Sequence, residues 1–160
     1  MNDQTMTPLF ALAVSVAYAI QADSRVSIQE KAKLVTIFGK LVESGEFSKS
    51  RLERMTRDAF SYVAASELSM FLPEAVKVLS YSQKLAILVN LYDIILVDGV
   101  VKEGERTVFK KFQHAFEIDE KAARTIREFL MLKHDTSLFT NPSHPYNDDD
   151  FSINSLFRDV

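Results

Sequence analysis

Cysteine does not occur in the 160 residues. Disulfides, thiolate metal sites and a cysteine nucleophile are thereby excluded, and the absence fits a reducing compartment, so a cytoplasmic location is expected. Glycine and proline number four each, too few for a phosphate-cradling loop or a low-complexity chain. No G-x-S-x-G, H-E-x-x-H or P-loop pattern is present, and no enzymatic activity is expected. Long apolar runs are missing as well: LFALAVSVAYAI (9–20) spans 12 residues, against the roughly 20 that a membrane-spanning helix requires. Residues 1–8 hold Asp3 and no Lys or Arg, so the run reads as a core helix, without signal-peptide character and without membrane insertion. No basic stripe interleaved with aromatics stands out, which leaves nucleic-acid binding without support.

What is present is a globular composition, 47% hydrophobic and 11% aromatic, in a length that suits one domain with a single core. The formal charge of −3 is unevenly placed. Residues 135–160 carry Asp135, Asp148, Asp149, Asp150 and Asp159 against Arg158, a balance of −4 that leaves the body at +1. Strand alternation is lacking and helix punctuation is dense, so the expected class is all-α. Thr7 before Pro8 starts a helix to about residue 22. Ser27 with Glu30 forms a capping box for a helix to about 43, closed near Gly45. Ser50 with Glu53 marks a helix over about 48–67, and Pro73 is expected in the first turn of a short one over 72–79. Ser80 with Gln83 precedes the most apolar stretch, KLAILVNLYDIILVD (84–98), expected to be central. Helices over about 102–116 and from Asp119 to about 133 complete seven. The expectation is a single compact bundle over 1–134, followed by an irregular acidic tail, 135–160, docked or partly ordered, with a short helix near 152–158.

A shift of 75 residues lays 16–41 on 91–116. Asp23 then falls on Asp98, Val26 on Val101, Glu30 on Glu105, Leu34 on Phe109, Ile37 on Phe112 and Leu41 on Phe116. The apolar matches share one helical face, so the bundle is expected to contain two helix-loop-helix repeats, about 7–43 and 83–116. Ala11, Ser15, Tyr18 and Ala22 likewise fall on Ala86, Asn90, Asp93 and Val97, along one side of each first helix. That side is either a shared polar groove, a contact face for a partner, or simply the side left to solvent.

Each copy carries D-[GS]-x-V-x-x-x-E between an apolar helix and an amphipathic one: Asp23, Ser24, Val26 and Glu30, then Asp98, Gly99, Val101 and Glu105. The pattern resembles the tellurite-resistance TerB-like family over roughly residues 5–133. The resemblance implies an all-helical domain built around these loops. It also implies a part in tellurite or wider chemical-stress response, a binding role without catalysis, and acidic residues that take a divalent cation. The candidate ligands are Asp93, Asp98 and Glu105, and more weakly Asp23 and Glu30, where Arg25 opposes a cation. Calcium requires six to eight oxygens, so backbone carbonyls and water would complete either set. An EF-hand is excluded, because Glu stands eighth and not twelfth. A metal-free account is equally definite: Gly99 suits a left-handed position after Asp98, and acids in a helix's first turn favour its macrodipole.

The alternative to a metal module is a metal-free scaffold that binds a partner protein or a small apolar ligand through the polar stripe and tail. A homo-oligomer is compatible with either. His134, Asp135 and His144 could chelate zinc if the tail folds back. Phe151, Leu156 and Phe157 are expected to dock the tail on its own domain.

Overall fold

The computed structural model describes residues 5–22, 28–96 and 103–153, with the side chains of 28–35 excepted. The described chain is helical: α1 (Pro8–Gln21), α2 (Ile28–Glu43), α3 (Lys49–Ala65), α4 (Leu68–Val78), α5 (Tyr81–Leu96), α6 (Glu103–Ala115) and α7 (Glu120–His134), then a 3₁₀ turn at Pro145–Asn147. No described residue lies in a strand, and no described helix is long and apolar enough to cross a membrane. The proposed Asp98 loop and the short helix near 152–158 lie wholly or largely outside the described residues.

Local chemistry sets the helix ends. Thr7 Oγ1 accepts the Phe10 N–H at 3.1 Å, with Pro8 at the first helical position where its missing N–H costs nothing. Before α5 the capping box closes in both directions: Ser80 Oγ accepts the Gln83 N–H at 3.2 Å, and Gln83 Oε1 accepts the Ser80 N–H at 2.8 Å. Asp119 Oδ1 accepts the Ala122 N–H at 2.7 Å and opens α7. In α3 the cap is Ser48, which accepts the Arg51 N–H at 3.2 Å; Ser50 sits inside the helix. After α2, Gly45 takes φ 78°, a conformation that glycine adopts without the clash of a Cβ. The equivalent reversal after α6 is made by Glu117 at φ 53°, with Glu117 N–H on the His114 carbonyl and Ile118 N–H on the Gln113 carbonyl, both at 3.1 Å. This is a Schellman closure with a Cβ where glycine is preferred.

α4 departs from expectation. It starts at Leu68, and Pro73 lies in its interior. A proline there forfeits a backbone hydrogen bond and costs ~3 kcal/mol. Extending the helix back to Leu68 places Phe71, Leu72 and Ala75 in the core, and burial of Phe71 and Leu72 returns about 1.5–3 kcal/mol each. Burial outweighs the proline.

The centre is shared by two helices. α5 packs on α1, α2, α6 and α7, while α1 packs on α3, α4, α5 and α6. Between Phe10 and Ile20 in α1 only Leu12 and Tyr18 escape full burial. α1 is thus the more enclosed of the two, although α5 is the longer apolar run in sequence. This enclosure decides the polar stripe. Ala11 and Ser15 are fully buried and Tyr18 is half-buried, whereas Ala86 is exposed, Asn90 is half-exposed and the Asp93 side chain is 14% exposed. Among the described residues the two sides therefore form no shared polar groove. Ser15 Oγ donates to the Ala11 carbonyl at 2.6 Å, and Tyr18 Oη donates across to the Ser66 carbonyl at 2.7 Å. Burial, with Tyr62 and Glu67 nearby, pushes the Tyr18 phenol up to about 12. An aromatic cluster covers that side: Phe10 meets Tyr62 edge-on at 6.0 Å, and Phe71 lies 5.5 Å from Tyr18 and 5.9 Å from Tyr62.

Two substitutions test this packing. Phe71→Ala, at the junction of α1, α3, α4 and α6, should cost about 3–5 kcal/mol in denaturant unfolding. Glu117→Gly should stabilise by about 1 kcal/mol by relieving the left-handed φ, and thermal melting should show it as a rise of about 2–4 °C.

Candidate functional site

The helix bounds keep the 75-residue offset at the acidic loops. α1 ends at Gln21 and α5 at Leu96; α2 begins at Ile28 and α6 at Glu103. Glu30 and Glu105 are accordingly each the third residue of a helix. A carboxylate there lies beside the partial positive charge of the unpaired N–H groups.

The start of α6 approaches the end of α1. A Cβ built on Gly104 would lie 3.2 Å from the Ala22 carbonyl oxygen, so the first turn of α6 rests against the end of α1. Ala22 directly precedes Asp23, and Gly104 separates Glu103 from Glu105. Glycine suits this contact, because a side chain at 104 would crowd that oxygen and require a shift of a few tenths of an ångström. Glu105 is 5% exposed, and it is engaged within the protein. Asp23 and Asp98 lie outside the described residues, as does the Glu30 side chain.

Asp93 is turned toward α7. Its Oδ1 lies 2.6 Å from His134 Nε2, and Lys133 Nζ sits 3.1 and 3.2 Å from its two oxygens. The His134 and Asp93 side chains are 13% and 14% exposed, so this contact is shielded, while Lys133 is open to solvent. Nothing in the local pattern around Asp93 signals this pairing, since 40 residues separate the partners. The register is set by α7 packing on α5. Arg127 NH2 reaches Glu120 at 2.7 Å and its NH1 reaches Tyr92 Oη at 3.3 Å. Tyr92 in turn stacks on Phe109 at 4.2 Å, which joins α5, α6 and α7. Burial pushes the Tyr92 phenol up, against the pull of Arg127. Hydrogen bonds from Gln113 and then Arg127 hold the Glu120 carboxyl down.

Beyond α7 the tail folds back, but no zinc cluster results. His144 Nε2 lies 2.7 Å from Asp135 Oδ2, whereas the His134 ring is committed to Asp93. Among the described residues no three His, Asp or Glu side chains are grouped to hold a metal ion. His144 Nδ1 accepts the Tyr146 N–H at 3.0 Å, which assigns the ring hydrogen to Nε2, donating to Asp135. Asp135 Oδ1 accepts from both the Ser137 N–H at 2.9 Å and its hydroxyl at 2.7 Å. The D-x-S spacing is the sequence signal for this Asx turn. Of the expected docking aromatics, Phe151 is exposed and packs on Tyr146 at 4.8 Å; Leu156 and Phe157 lie outside the described residues.

The hydroxyl of Ser137, followed by His144 and the Ser137 amide, holds the Asp135 carboxyl below the usual carboxylate range. A depressed acid contributes stability above its unfolded value, about 3.9, and loses it as pH falls through the lower folded value. The step in the Ser137 amide resonance that comes from Asp135 should therefore fall below a pH of about 3.9. In Asp135→Asn that titration should vanish, as followed by two-dimensional NMR.

No curated protein and no solved structure matches the chain. The family model described as tellurite resistance protein TerB matches residues 9–128, a span that holds both acidic loops and all but the last residues of α7. The chain belongs to the TerB tellurite-resistance family.

Proposed function

We propose that the protein is a non-catalytic binding module of the tellurite and chemical-stress response that takes a divalent cation at its acidic loops. The observation that supports this reading is the closeness of α6 to the end of α1, where a Cβ built on Gly104 would lie 3.2 Å from the Ala22 carbonyl oxygen. It sets a residue adjoining Asp23 beside a residue adjoining Glu105. Carboxylates and carbonyls are hard oxygen donors, which suit calcium or magnesium better than zinc. Asp98 and Glu105 are the principal ligands of the proposal. Asp93 is the outer member of the set, because Lys133 and His134 already occupy its oxygens. Asp23 and Glu30 are weaker, since Arg25 stands between them in sequence. The same module could instead act metal-free, docking a partner; the exposed tail aromatics favour that second reading.

Thermal melting against calcium, magnesium and zinc separates the two readings. A cation that binds only the folded state should add about 2.7 kcal/mol at a hundredfold excess over Kd, raising Tm by about 5–11 °C. The Asp98→Asn, Glu105→Gln double variant should lose that shift. No shift with any of the three ions, or an undiminished shift in the double variant, would sink the metal reading.

A further inference from the structure

The tail and α6 present surfaces of opposite charge at opposite ends of α7. The turn after α7 is held by its own hydrogen bonds: Asp135 to Ser137, His144 to Asp135, and Asn147 Nδ2 to the Leu138 carbonyl at 2.9 Å. Yet it buries little. Phe139 is 93% exposed, the Tyr146 and Phe151 rings lie on one another in the open, and Asp148, Asp149 and Asp150 are all exposed. A turn that is already ordered loses less entropy when it binds.

The outward side of α6 is basic. Arg106, Lys110 and His114 recur at a spacing of four, with Lys111 beside them, and all are exposed. Glu103 and Glu117 bound the stripe at its two ends. The aromatics between these positions, Phe109, Phe112 and Phe116, face the core, so the surface offers charge without the stacking platform that single-stranded nucleic acid uses. At the C-terminal end of α6 the stripe opens into a groove of about 590 Å³ lined by Lys110, His114 and Ile118 together with three acids, Glu117, Asp119 and Glu120. Glu120 holds Arg127 and Gln113, and Asp119 holds the Ala122 N–H, so the basic character belongs to the stripe and not to the groove.

This groove lies at the start of α7 and the acidic turn at its end. The 15 residues of α7 separate them by about 22 Å. We propose that the acidic, aromatic turn of one copy docks on the basic side of α6 of a second copy. Asp148, Asp149 and Asp150 lie against Lys110, Lys111 and His114. The donor and acceptor surfaces differ, so each copy carries one of each, and the contact either closes reciprocally about a two-fold axis or runs head to tail.

Analytical ultracentrifugation of the full chain tests this. Wild type should self-associate with rising concentration at low salt, and at least about tenfold more weakly at 0.5 M salt, where charge pairs are screened. Lys110→Glu with Lys111→Glu should abolish association, as should Asp148→Lys with Asp149→Lys. All four positions are exposed, so circular dichroism and Tm should match wild type. Mixing the two variants should restore association, since each reversed surface then finds its complement. A wild type that stays monomeric at low salt overturns the proposal. So does association unaffected by either charge reversal, or a mixture that fails to associate.

Discussion

α1 is buried on nearly every side, and most of the architecture follows from that. A helix carrying Phe10, Val14, Val16, Ala17 and Ile20 inward cannot leave a broad face to water, because each large side chain exposed would forgo about 1.5–3 kcal/mol. α3 and α4 cover one side of it, α5 another, and α6 seals its C-terminal end. The small residues of α1, Ala11, Ala13, Ala17 and Ala19, let those neighbours come close. Where α1 carries polar atoms, they are satisfied locally: Ser15 within its own helix and Tyr18 at the α3–α4 junction.

The enclosure breaks a symmetry that the chain otherwise keeps. The two helix-loop-helix units share their loop-side boundaries at a 75-residue offset, and their second helices pack apolar side chains inward, Phe109 and Phe112 in α6, Phe38 and the partly buried Ile37 in α2. Their first helices differ in surroundings. α3 and α4 lie on α1, whereas α7 lies on α5 and leaves Ala86, Val89 and Asn90 partly open. Equivalent positions thus have different chemistry: the Tyr18 position reaches a backbone carbonyl, and the Asp93 position reaches the Lys133 and His134 pair.

The acidic loops are where sequence and tertiary structure divide the work. Spacing alone places Glu30 and Glu105 in matching first turns, and capping chemistry explains why acids are favoured there. What spacing does not contain is the proximity of the start of α6 to the end of α1. Gly104 reads as a weak helix residue in a first turn, and its reason appears only when the Ala22 carbonyl is seen against it. The basic side of α6 was hidden for a related reason. In the linear sequence its lysines are interrupted by phenylalanines, and only helical periodicity sends the two sets to opposite sides.

By itself the sequence determined the class, the number of helices, most of their ends and the family pattern, because caps, turns and periodicity act over four residues or fewer. Tertiary structure decided three further points. α4 runs through Pro73 because burying Phe71 and Leu72 outweighs one lost hydrogen bond. The polar stripe of α1 is covered because α3 and α4 pack on it. Asp93 is tied to α7 because the α5–α7 packing brings residues 40 positions apart together. Each depends on a balance of burial among segments distant in the chain, which no local window contains.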